Sequence, residues 1–387
     1  MTDAGTRPSR LDSLTGLRWF AAFAVFFHHF TNFAPVPDLS TVAVFGITGV
    51  SFFFVLSGFV LTWSQTDRDT TGRFYWRRFA RIYPLVLVTT LACLPVFYGS
   101  AHTFQKPWDP APILLSLLLL HAWFAGLPLI FFGGNPASWS LSCEAFFYAV
   151  FPHAVRRLLH RRVAVLLLGA VGCVVVMWGL LAAVASYPLG LVPGTQVSVG
   201  GLLLGSPVGR LWEFGLGVLV GCAVRAGWRP PVGLWTAVGL LAGGMALLVV
   251  WQQHPGWSLA FVPPTSAKNQ VTAPLYALVI AAAASRDVRG APSFLRHPVL
   301  VRLGHWSYAF YLTHVIVIYG ARLAFGQQVR GYDNLVWLPA VLLVAIAVAG
   351  LCYHVVEHPV ERLLRSKMKP LPPRAPQART APHLTKA

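Results

Sequence analysis

Acidic residues are scarce in this sequence. Among 387 residues there are 12 Asp and Glu against 30 Lys and Arg, and only 11% of positions are charged while 56% are hydrophobic. Soluble chains carry about 25% charged residues, so the polar surface that a soluble globule of this size needs is missing. The formal charge of +18 would suit a nucleic-acid partner, yet the cations fall in short clusters between long apolar runs. That is the pattern of basic loops facing anionic lipid, and no nucleic acid is expected. Close cysteine pairs are lacking as well. Cys93, Cys143, Cys173, Cys222 and Cys352 all lie inside apolar runs, which indicates small core residues rather than a disulfide framework or a metal site. The first apolar run, from Leu14, holds Arg18, His28 and His29 and has no convincing small-residue cleavage site after it. It reads as a retained helix, not a signal peptide.

What is abundant is apolar sequence in windows of about 20 residues, the length that crosses a bilayer. Eleven such segments occur, at 14–33, 42–64, 79–99, 111–131, 138–155, 163–187, 207–225, 232–251, 271–285, 303–323 and 335–357. The expected fold is all-α, a polytopic helical membrane domain over residues 14–365, with a lead at 1–13 and a disordered basic tail at 366–387. Lys and Arg number 3 in residues 1–18, 5 in 65–81, 4 in 156–162, 2 in 225–229, 4 in 286–302 and 7 after 361. This bias puts both termini in the cytoplasm, which requires an even number of crossings. The odd segment is sought at 111–155, where Gly133, Gly134, Asn135 and Pro136 split two apolar runs. The expectation is that 138–155 crosses and 111–131 is re-entrant or interfacial, giving about ten transmembrane helices.

Several polar residues stand inside this apolar chain. Arg18 and His29 are eleven positions apart, so at about 100° per residue they share a helix face, roughly 16 Å apart along the axis. His29 then lies in the outer half of the membrane and Arg18 near the inner surface. Glu144, in ASWSLSCEAFFYAVFP, would cost roughly 2.5 to 3.5 kcal/mol at the bilayer centre unless compensated. With the assumed direction of its helix it reaches the depth of His29, and a carboxylate–imidazole dyad able to take a proton from an alcohol is one reading. A purely structural pairing of each group is the other. In GRFYWRRFARIYP, Arg73, Arg77 and Arg81 recur every four residues with Arg78 beside them, an array of forks suited to phosphate; a positive-inside loop explains the same residues. Arg210 and Glu213, three apart in RLWEFGLG, fit an internal ion pair or a contact with an acceptor. Tyr308, Tyr311 and His314 in RLGHWSYAFYLTH fit one polar strip along a helix or aromatic packing. Trp63, Trp76, Trp139 and Trp306 read as interfacial anchors.

Together these motifs resemble the acyltransferase 3 family, integral membrane enzymes that move acyl groups from acyl-CoA to hydroxyls of sugars and related acceptors. The match covers about residues 11–365. LDSLTGLRWFAAFAVFFHHF resembles the family's first helix, with an arginine and a histidine separated by ten residues, and is followed in order by GVSFFFVLSGFVLTWS, RRFARIYP, SWSLSCEAFFY, RLWEFGLG, LGHWSYAFYLTH and YHVVEHPVERLL. The resemblance implies that His29 is the catalytic base, that Glu144 supports it, and that the cytoplasmic arginines of the RRFARIYP stretch take the phosphates of CoA. Arg18, Arg73, Arg77, Arg78 and Arg81 are accordingly assigned to acyl-CoA, and Arg210, Glu213, Tyr308, Tyr311 and His314 to the acceptor or to support. No cofactor is expected to be held permanently; acyl-CoA, as acetyl-CoA or propionyl-CoA, is a co-substrate. Two departures from the family pattern are Cys143 before Glu144 and Ala145 after it.

No extra esterase-like domain is expected, and the Ala-, Gly-, Pro- and Arg-rich composition fits a high-GC bacterium. The opening is similar to the actinomycete branch that acylates macrolide antibiotics, the midecamycin and carbomycin type. The expected partners are therefore acyl-CoA, a hydroxylated macrolide or carbohydrate acceptor, and the lipid bilayer, in the bacterial inner (cytoplasmic) membrane. A surface polysaccharide or cell-wall sugar O-acetyltransferase is the nearest alternative. A proton-coupled exporter of small molecules is the alternative of another class, since intramembrane His and Glu also build proton relays; against it, the GGNP break and the Arg18–His29 spacing have no second copy, as an internal repeat would require.

Overall fold

The computed structural model describes residues 10–66, 70–184, 199–254 and 264–368. Residues 1–9 of the lead, the end of the 163–187 segment and all but the first three residues of the 366–387 tail lie outside them. The described residues are helical in the main, with one isolated bridge between Tyr98 and Lys106. In chain order the helices are α1 (Asp12–Phe30), α2 (Leu39–Ala43), α3 (Gly49–Ser64), α4 (Thr71–Phe97), α5 (Pro110–Leu117), α6 (Pro128–Phe131), α7 (Trp139–Leu158), α8 (Val163–Val184), α9 (Val199–Gly205), α10 (Pro207–Arg225), α11 (Leu234–Gln253), α12 (Pro264–Val288), α13 (Pro298–Phe325), α14 (Trp337–Cys352) and α15 (His358–Ser366). A 3-10 stretch, Val44–Thr48, runs α2 into α3, and a π-helical turn, Tyr353–Glu357, runs α14 into α15.

Among the described residues, eight helical runs are long and apolar enough to cross a membrane: Leu39–Ser64, Thr71–Phe97, Val163–Val184, Pro207–Arg225, Leu234–Gln253, Ala267–Val288, Pro298–Phe325 and Tyr332–Ser366. Their outward faces are apolar, with Leu168 71% exposed on α8 and Leu343 66% exposed on α14, a surface stable only against lipid. The protein is thus all-α and polytopic. Two more helices, α1 of 19 residues and α7 of 20, are each about 30 Å long at 1.5 Å per residue, but their buried polar residues take them below the same apolarity. These are the helices that carry His29 and Glu144.

Contacts fix the relative directions of α1, α3, α4, α7, α10 and α13. Thr15 lies against Gly304 and His29 against His314, so α1 and α13 run parallel. Ile82 meets Tyr308 and Phe97 meets Tyr319, so α4 runs with them. Gly46 packs on Ala24 and Gly49 on Ala21, so α3 runs against α1, while Val55 on Gly217 and Thr62 beside Arg225 set α10 parallel to α3. Phe74 stacks on Phe151, and Gly134 binds Tyr98, so α7 opposes α4. One end of the bundle therefore gathers Arg10, Arg73, Arg77, Arg156, Arg157, Arg225 and Arg365; we refer to it as the basic end.

Local chemistry explains the helix starts. Thr70 accepts from the Arg73 amide, Asp109 from Ala111 and Ser206 from Gly209, with Pro at the first turn of α5 and α10, a combination that satisfies otherwise orphaned amides. The first turn of α1 is capped from a distance: Ser13 donates its amide to Asp287 Oδ2 at 2.8 Å and its hydroxyl to Oδ1 at 2.6 Å. Residues 111–131 break into α5, a 3-10 turn at His121–Phe124, and α6, pieces too short to cross, whereas 138–155 lies within the single helix α7. The break is buried and satisfied. Gly134, at φ +60, donates its amide to the Tyr98 hydroxyl at 2.9 Å, and Asn135 donates its side-chain amide to the Leu312 carbonyl at 2.9 Å.

Helices α3 and α10 meet backbone to backbone. A Cβ on Gly217 would run into the Val55 carbonyl, whereas one on Gly179, on the outer face of α8, would meet nothing within 4 Å. Small residues at such crossings let helices approach in lipid, where no hydrophobic force drives them together. Gly217→Leu should therefore destabilise the bundle by about 1 to 3 kcal/mol, seen as a lower melting temperature in detergent, and Gly179→Leu should melt near the parent.

Candidate functional site

Three cavities follow one another along the bundle. The first, of about 170 Å³, is lined by Arg18, Arg78, Arg81, Glu144, Tyr308 and Tyr311 among others. Towards the basic end a second opens, about 440 Å³, bounded by Arg10, Trp63, Ser64 and Thr66; Arg18, Leu56 and Val60 belong to both, so Arg18 stands at their junction. Towards the other end lies a third, of about 550 Å³, lined by His28, His29, Asn32, Lys106, Arg210 and Lys268 with six aromatic rings, Phe97, Phe104, Phe131, Phe132, Trp139 and Tyr319. Tyr311 and Ser140 line the first cavity while Val315 and Trp139 line the third, so α13 and α7 pass from one to the other within a turn.

The strip expected on α13 is present. Tyr308, Tyr311 and His314, spaced by three, lie along one side. The Tyr308 hydroxyl donates to the Ile82 carbonyl at 2.8 Å, and the Tyr311 hydroxyl is 2.8 Å from Ser140 Oγ. His314 is wholly buried; its Nδ1 is 2.7 Å from the Tyr311 carbonyl and 3.2 Å from that of Phe310, and its Nε2 is 3.2 Å from His29 Nδ1. His29 Nδ1 is also 3.0 Å from the Val25 carbonyl.

The dyad of His29 with Glu144 does not form. His29 faces the third cavity and pairs with His314; Glu144 lines the first, where its hydrogen-bond partners are Tyr148 and Ser57 and its nearest cations are Arg18 and Arg78. The reason is depth. Asn135 anchors the start of this segment at Leu312, inside the bundle rather than at its surface, so Glu144, five residues past Trp139, is carried about 7 Å further towards the basic end. Trp139, expected at the interface, is instead half-buried beneath Arg210, 5.8 Å from its guanidinium.

The arginines separate into two kinds. Arg18 and Arg78 line the first cavity, with Arg78 over the rings of Phe74 and Tyr148 at 5.9 and 6.0 Å. Arg81 is also there, but its guanidinium is held by Glu357 at 2.8 Å and Glu361 at 2.9 Å, the latter joined to Arg365 at 2.6 Å. Arg73 and Arg77 lie outside the cavity lining. The regular four-residue spacing thus does not array all four guanidiniums on one ligand surface. Arg210 and Glu213 form the internal ion pair, at 3.1 Å, with Ser51 3.2 Å from Arg210 and 3.4 Å from Glu213, and Arg210 also reaches the third cavity. Sequence reasoning missed Tyr148, Ser57, Glu357 and Glu361. Three of them had a signal: Tyr148 is four residues from Glu144, and Glu357 and Glu361 are four apart in YHVVEHPVERLL, a motif read only for resemblance. Ser57 had none, because only packing brings α3 against α7.

Lys106, in the loop after α4, donates to the Phe132 carbonyl at the edge of the third cavity. Burial pushes its ammonium from 10.5 down to about 8. The unfolded chain then binds more protons than the folded one between pH 8 and 10.5, so this residue adds stability as pH rises through that window. Unfolding measured across it should show the parent gaining stability relative to Lys106→Met. For the ion-pair cluster, Arg81→Ala leaves the buried carboxylate of Glu357 without its cation, while Glu361 keeps Arg365, a loss of about 3 to 5 kcal/mol. Adding Glu357→Gln should recover part of the melting temperature; a double variant no better than Arg81→Ala would refute the pairing.

Comparison with known proteins places these features. An acyltransferase domain model, that of the acyltransferase 3 family, matches residues 11–354. Acyltransferase MdmB of Streptomyces mycarofaciens is 38% identical over 98% of this chain and 99% of its own length. Nodulation protein 10 of Rhizobium leguminosarum bv. viciae is 27% identical over 90% of this chain and 93% of its own, and O-acetyltransferase OatA of Staphylococcus aureus 28% identical over 40% of this chain and 26% of its own. No solved structure matches. The chain, a multi-pass membrane protein with its polar groups gathered along three cavities in series, belongs to the acyltransferase 3 family.

Proposed function

We propose that this acyltransferase moves a short acyl group, acetyl or propionyl, from acyl-CoA to a hydroxyl of a macrolide antibiotic or its sugar, with His29 as general base, in the bacterial inner membrane. The observation that carries the reading is the series of cavities, entered at the basic end past Arg18 and ending at His29. By the positive-inside bias the basic end faces the cytoplasm, where acyl-CoA is found. The nucleotide end of the donor sits at the basic-end cavity, and Arg18 and Arg78 offer charge to its phosphates. The pantetheine arm lies along the narrow first cavity beside Glu144 and Tyr308, and the thioester meets His29 at the third.

There the acceptor hydroxyl gives its proton to the imidazole as its oxygen bonds to the thioester carbonyl carbon. The C–S bond breaks, and the imidazolium returns the proton to the departing thiolate, leaving ester and CoA thiol. General base assistance of this kind typically contributes about 10² to 10⁴ in rate. No acyl-enzyme is needed, and Cys143 is buried behind Gly205, outside the lining of the third cavity. The aromatic lining of that cavity favours a hydroxylated acceptor with a large apolar face, as a macrolide has, over a uniformly polar polysaccharide strand.

The test offers radiolabelled acetyl-CoA and propionyl-CoA to the protein in membranes, with a macrolide bearing a free hydroxyl or with envelope polysaccharide. Label should pass to the macrolide and fall by about 10² or more in His29→Ala, which should still bind CoA. Arg18→Ala and Arg78→Ala should mainly raise the acyl-CoA concentration required. Label on polysaccharide alone would move the acceptor to the envelope, retained turnover in His29→Ala would remove the general base, and transfer to no acceptor would favour an exporter.

A further inference from the structure

We infer that His314 is the positioning residue that sets the tautomer of His29, leaving His29 Nε2 as the nitrogen that accepts the substrate proton. The inference rests on the general-base reading of His29 and assigns a partner to it. A carbonyl oxygen can only accept a hydrogen bond, and a neutral imidazole has one N–H and one bare nitrogen. His314 Nδ1 faces two carbonyls, of Tyr311 at 2.7 Å and Phe310 at 3.2 Å, so it carries the proton and His314 Nε2 is bare. That bare nitrogen lies 3.2 Å from His29 Nδ1, which also faces the Val25 carbonyl at 3.0 Å. Both neighbours of His29 Nδ1 are acceptors, so it carries the proton. The lone pair of His29 is then on Nε2, and His29 lines the third cavity.

The same contacts serve the step itself. When His29 takes the proton from the acceptor hydroxyl at Nε2, positive charge spreads onto Nδ1–H, and His314 Nε2 and the Val25 carbonyl both accept from it. A neutral imidazole stands where many hydrolases place a carboxylate to orient a histidine. In an apolar bundle this choice avoids a buried anion, and the carboxylate of Glu144 is held away in the first cavity. His314 cannot turn freely to offer its other nitrogen. It is wholly buried, packed between the rings of Phe310 at 6.1 Å and Tyr311 at 5.8 Å, and the two carbonyls on its own helix hold Nδ1.

The alternative is that His314 only fills space. The two roles part in a series at this position, assayed for acyl transfer in membranes alongside His29→Ala. His314→Gln keeps an oxygen near the place of Nε2, within reach of His29. His314→Asn is too short, placing its amide near Nδ1. His314→Ala should lower kcat about 10- to 100-fold, by analogy with the loss of a group that orients a metal-bound histidine, with the KM for acyl-CoA unchanged; Val25 still holds His29, so activity is not abolished. His314→Gln should recover most of kcat and His314→Asn little. Equal activity in the Gln and Asn variants, or a rise in KM without loss of kcat, would overturn the inference. Should the Ala variant fail to fold, the Gln and Asn pair, matched in chemistry and differing in reach, still decides. A His314→Ala variant with the parent's kcat beside a His29→Ala variant slowed by about 10² or more sinks the positioning role alone, whereas parental turnover in His29→Ala sinks the base and its partner together.

Discussion

A single hydrogen bond, from the Asn135 side chain to the Leu312 carbonyl at 2.9 Å, sets the depth at which everything else in the site lies. It ties the broken segment before α7 to the middle of α13, between Tyr311 and His314 of the polar strip. Irregular backbone survives at membrane depth only where other groups satisfy it, and here Tyr98 and the carbonyl of Leu312 do so. With α7 starting inside the bundle, Ser140 is brought to Tyr311 and Glu144 to Ser57. Had the helix begun at the surface, Glu144 would stand beside His29.

Burying charge among lipid-facing helices then sorts the polar residues into closed and open sets. Arg81 with Glu357 and Glu361, and Arg210 with Glu213, are closed: each cation has carboxylates within 3.1 Å. The π-helical turn Tyr353–Glu357 contributes to the first set, bringing Glu357 and Glu361 of the last helical run onto α4. Arg18, Arg78, His28 and His29 are open to cavities. A bundle of this kind confines its reactive chemistry to the groups it does not neutralise, and those groups mark a path from the basic end to the aromatic chamber.

The aromatic residues do double duty along that path. Phe26, Phe30 and Phe310 form the packed core beside the two histidines, while Phe104, Phe131 and Trp139 face the chamber. A rigid apolar wall on one side of an imidazole pair and an open apolar room on the other give one nitrogen a fixed partner and leave the other for a ligand. This arrangement costs little in side-chain freedom, because the rings have few rotamers to lose.

The sequence by itself determined that the chain is a helical membrane protein, because hydrophobic run length and charge placement are local properties that a bilayer reads directly. It also determined the break at 133–136, the Arg210–Glu213 pair three residues apart, and the strip of Tyr308, Tyr311 and His314, since neighbours on one helix face follow from its period. The pairing of His29 with His314, 285 positions away, and the separation of Glu144 from both were decided by tertiary structure alone. Helical period tells which residues share a face but not how deeply a helix is set against its neighbours. That depth comes from Asn135 meeting a carbonyl of a distant helix, and no local pattern of residues encodes it.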